Sequence, residues 1–230
     1  MWYGKNKAIT FSFDDGVTQD IRAIEILDKY GLKATFNLNS SLLGLKSSVV
    51  RNGREVRHDK ISPSEVRAVY AGHEVAVHTL THPNLTEQSE ETIVHQVERD
   101  RLTLEDLTGR EVVGMAYPCG GVNNDDRVAE IIKRRTGVKY SRTITSSHDF
   151  APQKNLFRFN PTVYYIEEDL FPLAEKFLAE KDDEPKILYV WGHTYEMDAE
   201  YISWEKFESF CQLVSGKKDI FYGTNREILL

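Results

Sequence analysis

Two aspartates stand side by side in the stretch Thr10-Phe11-Ser12-Phe13-Asp14-Asp15-Gly16. The four residues before them alternate hydroxyl and aromatic side chains, the pattern of a β-strand with two unlike faces. Neighbouring residues at a strand end point in different directions, so Asp14 and Asp15 are expected to have separate tasks. Two carboxylates this close repel each other unless a cation or a shared proton relieves them; taken alone, the same stretch also reads as a plain turn. A second set of groups is His78 and His82, in His78-Thr79-Leu80-Thr81-His82. Their spacing matches one helix face, but no Glu follows His78, so this is not the helical zinc-protease arrangement. Pro83 also biases residue 82 away from helical geometry. A tight turn at a strand end is expected, carrying either two surface histidines or two ligands. Two histidines and one carboxylate, with a position left for water, make the donor set of a catalytic zinc site. His193 ends the apolar run 186–193 and reads either as an acid–base group or as a satisfied core histidine.

These groups meet only if the elements bring them to one place. Strand patterns fall at 8–13, 33–39, 73–78, 111–118, 139–144, 160–166, 186–193 and 219–224. Helical patterns fall between them at 19–30, 62–72, 89–107, 126–135, 169–179 and 203–214, the first with Ile21, Ile24, Ile26 and Leu27 expected inward. Asn52-Gly53 between β-branched residues predicts a hairpin over 47–58. Alternating strands and helices without a long linker predict a parallel sheet wrapped by helices. Seven or eight strands in a 230-residue chain fit a small α/β barrel better than an open sheet. In such folds chemistry gathers at the carboxyl ends of strands. Those ends here carry Asp14-Asp15-Gly16, His78 with His82, Ala116-Tyr117-Pro118-Cys119-Gly120-Gly121, and Trp191-Gly192-His193-Thr194-Tyr195-Glu196.

Composition narrows the partners. The formal net charge is −7, and no basic cluster interleaved with aromatics occurs, which argues against a nucleic-acid backbone as partner. Two cysteines, Cys119 and Cys211, are too few for a disulfide framework, so reduced thiols are expected. No apolar run reaches the length of a signal peptide or a membrane span, so a cytoplasmic protein with no membrane partner is the simplest expectation. Oligomeric state leaves no mark in the sequence.

Taken together, these residues resemble the polysaccharide deacetylase family, the carbohydrate esterases built on a NodB-type domain. Thr10-Phe11-Ser12-Phe13-Asp14-Asp15-Gly16 resembles the family's T-F-D-D-G motif, His78 to His82 resembles H-S/T-x-x-H, and the strand ending in His193 resembles the last motif. The resemblance implies one catalytic domain over residues 1–230, folded as a distorted (β/α) barrel of about seven strands. It implies one divalent metal, zinc first and cobalt or nickel as alternatives, held by Asp15, His78 and His82. Asp14 is then the general base and His193 the general acid for removing acetyl groups from N- or O-acetylated sugars. The backbone N–H of Cys119 would serve the oxyanion, and Tyr117, Trp191 and Tyr195 would stack on the sugar. The third motif, usually R-x-P-Y-G, here reads Ala116-Tyr117-Pro118-Cys119-Gly120 and lacks its arginine. Arg142 is a candidate to replace that cation beside Asp14. Asp149, Glu196 and Asp198 are candidates to orient His193. The missing arginine keeps a second reading open, a catalytically idle carbohydrate-binding relative. A third is a metal-dependent hydrolase of another small C–N substrate.

Overall fold

A computed structural model describes residues 2–181 and 183–230. The strands are β1 (Lys7–Asp14), β2 (Ala34–Leu38), β3 (Ser48–Arg51), β4 (Arg54–Arg57), β5 (Glu74–Val77), β6 (Gly114–Ala116), β7 (Tyr140–Arg142), β8 (Val163–Tyr164), β9 (Lys186–Gly192) and β10 (Ile220–Tyr222). The helices are α1 (Asp20–Lys29), α2 (Val66–Val69), α3 (Glu90–Thr108), α4 (Asp126–Arg135), α5 (Leu170–Ala179), α6 (Tyr195–Asp198), α7 (Trp204–Val214) and α8 (Asn225–Leu229). The main sheet runs β7-β6-β5-β2-β1-β9-β8 with every pairing parallel, and β10 joins the first half of β1. It curls into an incomplete barrel. A single parallel bridge between Arg142 and Phe159 spans the gap between β7 and the lead-in to β8.

The two unlike faces of β1 explain the curl. Phe11 and Phe13 pack outward against Phe207, and Phe11 also against Phe210, both on α7. This aromatic layer lies within the main hydrophobic core between sheet and helices. The alternate residues face the barrel interior, where they are hydrogen-bonded as buried polar groups must be. Thr10 Oγ1 donates to Asn225 Oδ1 at 2.8 Å, and Asn37 Nδ2 donates to Ser12 Oγ at 2.9 Å. Asn225 opens α8 and also donates to the Tyr189 hydroxyl, so this helix plugs the amino end of the barrel. The carboxyl end stays open.

The predicted hairpin forms β3 and β4, with Asn52 and Gly53 both at positive φ as a tight hairpin turn requires. Its tip is pinned to the residues just after α6: Asn52 Nδ2 donates to Ala199 O, and Arg54 pairs with Glu200. Several expectations are corrected. Ile21 is 41 % exposed, because the buried stripe of α1 runs through Ala23, Ile24, Ile26 and Leu27. The helix at 62–72 shrinks to Val66–Val69, the strand at 111–118 to Gly114–Ala116, and the strand at 160–166 to two residues. Two short helices, α6 and α8, lie where no helix was predicted. Both are too short to show a period. Among the described residues no helix is long and apolar enough to cross a membrane, and both cysteines are free thiols.

Candidate active site

The ends of β1, β5, β6, β8 and β9, with the hairpin and its exit, surround one cavity of about 780 Å³ at the open end of the barrel. Asp14 closes β1 with its side chain turned inward. Arg142, fully buried at the end of β7, donates through Nη2 to both Asp14 oxygens at 2.5 Å. Asn37 Nδ2 adds a bond of 2.8 Å to Asp14 Oδ1. Burial pushes this carboxyl up, but Arg142, His78 and His193 outweigh burial and hold it below the ordinary range. The other side of the guanidinium is the ring of Trp191, 4.5 Å away.

Asp15 begins the following loop at φ 85, a left-handed conformation that non-glycine residues seldom adopt. Its Oδ1 lies 3.7 Å from His82 Nε2 and 4.0 Å from His78 Nε2. One donor atom from each of these three residues falls within 4.8 Å of the others, which is the spacing of a set able to converge on one ion. The His78 Nδ1 proton goes to Ala116 O at 2.9 Å, so Nε2 presents its lone pair to the cluster. Burial lowers His78 to about 4 and lowers His82 as well, so both rings are neutral and able to ligate near pH 7. This N,N,O donor set and its outer hydrogen bond fit a divalent metal.

The loop after β5 is built for that convergence. Asn39 Nδ2 holds the carbonyls of His78 and Thr79, and Asp100 on α3 accepts from the His78 N–H. Thr79 and His82 both take left-handed backbone, at φ 68 and 62, so the stretch is a turn and not a helix.

His193 follows β9. Gly192 before it cannot carry a side chain, because a Cβ there would lie 1.6 Å from the Tyr165 ring. That close approach lets Tyr165 donate its hydroxyl to His193 O at 2.5 Å. Of the three candidate partners for His193, Glu196 is the one in place: its Oε2 is 3.3 Å from Nδ1 and accepts from the His193 N–H at 3.1 Å. Tyr164 donates its hydroxyl to the other Glu196 oxygen. Asp198 is engaged by Gln19 and Trp204, and Asp149 by Phe150 and Ala151. Burial disfavours the imidazolium, but Glu196, Asp15 and Asp14 outweigh burial and raise His193 to about 9.

Other expected roles do not fit. Tyr117 borders the cavity but is fully buried, its hydroxyl donated to Phe157 O, so its ring belongs to the core. Trp191 has Tyr164 stacked on it at 4.3 Å besides Arg142, which leaves it no free face for a sugar. Arg142, by contrast, stands where the replacement for the missing motif cation was expected, bound to Asp14; held there, it is a charge partner of that carboxylate rather than a contact for the substrate oxygen. Tyr195 lies between the rings of His58 and His193. Cys119 stands at φ 71 with Sγ 3.7 Å from His82 Nδ1. Burial, Glu87 and Asp15 raise its thiol, which keeps it a poor nucleophile.

Two site residues escaped the sequence reading. His58 Nε2 is 3.2 Å from Asp15 Oδ2, and Lys60 Nζ donates to Asp15 O at 2.7 Å. Repulsion between the paired aspartates is therefore relieved by two protein cations, Arg142 on one and Lys60 on the other.

The family model for polysaccharide deacetylases matches residues 3–140, more than half of the chain, and the protein belongs to that family. A curated relative is the peptidoglycan-N-acetylglucosamine deacetylase PgdA of Listeria monocytogenes, 33% identical over 129 residues; the match covers 55% of this chain and 24% of that protein. The chain thus spans about a quarter of the relative's length. Among solved structures, a CE4 family pseudoenzyme from Bacillus anthracis superposes with a TM-score of 0.59 at 19% identity, covering 98% of this chain and 66% of the other. A family 4 carbohydrate esterase from Streptomyces lividans in complex with acetate gives 0.59 at 17% identity, covering 96% and 93%. These two likenesses concern the fold.

Proposed function

We propose that this chain is a metal-dependent deacetylase of N- or O-acetylated sugars. The observation that carries the reading is the common cavity shared by an Asp15–His78–His82 donor set, Asp14 paired with Arg142, and His193 paired with Glu196. Asp15, His78 and His82 would hold a divalent cation, and the chemistry it would supply there is Lewis acidity toward a water and an acyl oxygen. Asp14 accepts the proton of the attacking water, and Arg142 and Asn37 keep its carboxylate oriented while it does so. His193 donates its Nε2 proton to the departing amine or alkoxide, and Glu196 stabilises the charged ring beforehand. The backbone N–H of Cys119, a residue lining the cavity, would serve the carbonyl oxygen as it gains charge.

The name of the Listeria relative directs the first substrate to test, N-acetylglucosamine within peptidoglycan. Acetate release should be measured from acetylated oligosaccharides and peptidoglycan fragments with zinc, cobalt or nickel supplied. Release that stops on chelation and returns with metal is expected. Tight saccharide binding without acetate would favour the idle-relative reading instead. Against that alternative stands Arg142, which brings from β7 the cation missing from the third motif.

The acid has its own signature. Glu196 raises His193, so the protonated form persists until pH rises through about 9. With Glu196→Gln the imidazolium loses its main support, and the alkaline fall in kcat/KM should begin at lower pH while the acid limb stays put. An unmoved alkaline limb would remove Glu196 from this role.

A further inference from the structure

The segment leaving the hairpin is hydrogen-bonded to the loop that carries Asp15. Thr18 N donates to Asp59 O at 2.8 Å, Ile61 N donates to Gly16 O at 2.9 Å, and Val17 and Lys60 form an antiparallel bridge. This pairing sets His58 and Lys60 against Asp15 although more than forty residues separate them in the chain. Lys60 takes the Asp15 carbonyl, and Asp15 N donates to Asn37 O at 3.0 Å, so the left-handed peptide is held at both ends. His58 takes the carboxylate. An ionised carboxylate only accepts, so His58 Nε2 must carry the proton between them. The ring itself is fixed: its backbone N–H donates to Ser47 O, and Tyr195 packs edge-on against it at 4.8 Å. With Oδ2 engaged by His58, Oδ1 is the oxygen that faces His78 and His82, and the Lys60 ammonium also stands 3.5 Å from it.

We propose that His58 is a positioning residue for the metal: it fixes the Asp15 carboxylate so that Oδ1 alone enters the donor set. The assignment rests on the metal-dependent reading above. Outer partners of a metal-binding carboxylate or imidazole typically account for about 10–100-fold in metal affinity. The test is zinc affinity of the metal-free chain, measured by competition with a chromophoric chelator, for the wild type, His58→Ala and His58→Gln, with the melting temperature of each metal-free protein beside it. His58→Ala is expected to bind zinc about 10–100-fold more weakly. His58→Gln, whose amide can still donate to Oδ2, is expected to recover most of that loss, and the Co²⁺ absorption bands should keep the wild-type positions in both. Equal affinity in the wild type and His58→Ala overturns the proposal. So does an equal loss in both variants, which would mark a merely structural role. So does a Co²⁺ spectrum in His58→Ala showing one nitrogen ligand fewer, which would make His58 a ligand itself. A wild-type chain that binds no zinc removes the metal reading and this assignment together, whereas zinc binding without acetate release leaves this assignment standing and removes only the deacetylase reading.

Discussion

Asp14→Asn is expected to bind zinc within a few-fold of the wild type while kcat falls by roughly two to four orders of magnitude, the usual contribution of a positioned base. The two parts separate because Asp14 does not share the donor set. Its Oδ2 is 3.9 Å from His78 Nε2, it is not among the three residues whose donor atoms converge, and its oxygens are held by Arg142. The substitution has a structural cost too. Arg142 is fully buried, and removing the charge of its partner leaves a buried cation short of compensation, an effect on the order of 3–5 kcal/mol when the pair is broken outright. The asparagine carbonyl still accepts one guanidinium bond, so a smaller loss is expected, visible as a lower melting temperature. Zinc content and turnover should therefore be measured on protein shown to be folded at the assay temperature. Wild-type kcat in that sample would remove Asp14 as the base. A loss of zinc in step with activity would instead place Asp14 among the ligands.

The parts of this site that local sequence revealed are those whose neighbours in the chain explain them. Asp14 and Asp15 end a strand whose alternation is plain, and the apolar run before His193 is the long buried strand β9. Helix α4 spans the expected 126–135, because its amphipathic stripe is preceded by Asp125, which caps it through Val128 N. What local pattern could not show is the long-range chemistry. Arg142 meets Asp14 across 128 residues, and nothing near either residue specifies that bond. His58 and Lys60 reach Asp15 through the pairing of 16–18 with 59–61, which follows from how the hairpin is tied down and not from any periodicity. Glu196 was one of three possible partners for His193. The turn of α6 selects it by placing residue 196 one helical step beyond residue 193. That i,i+3 spacing was present in the sequence, but a four-residue helix leaves no pattern that announces it.

Tyr117 and Trp191 are unavailable to a sugar for a related reason. A tyrosine or tryptophan beside a strand end looks free to stack on a sugar when the strand is considered alone. In the folded chain Trp191 is sandwiched between Tyr164 and Arg142. It thereby serves Asp14 indirectly, since a guanidinium packed on an aromatic face has one edge free to meet a carboxylate. The departure of the third motif from its family is explained by the same residues. In this chain the cation beside the inward carboxylate of β1 comes from the end of β7, as Arg142, and not from the third motif on β6.

Removing a metal ligand should give the second large effect. In His78→Ala, zinc stoichiometry is expected to fall from near one to background, a loss at least as great as the ~10–100-fold that an outer partner brings. His78 is almost fully buried and hydrogen-bonded to Ala116 O, so its truncation also leaves an unfilled site and an unpaired carbonyl in the barrel. A fall in zinc there could follow from a loosened fold. His82→Ala separates the two causes. The His82 side chain retains 32% of its exposure and sits on a turn held by bonds that do not involve its ring, His82 N–H to Thr79 Oγ1 and Leu80 N–H to Gln96 O, so its loss should change the melting temperature little. If the two imidazoles act as one donor set, both variants lose zinc, but only His78→Ala also loses stability in the metal-free state. Cys119 lies beside His82, so His82→Ala is best paired with Cys119→Ser, to keep the thiol from taking the vacant ligand position. Zinc retained at full stoichiometry by the double variant would mean that the turn 78–82 does not hold the ion. The proximity of Asp15, His78 and His82, at 3.7–4.0 Å, would then reflect packing and charge attraction without an ion.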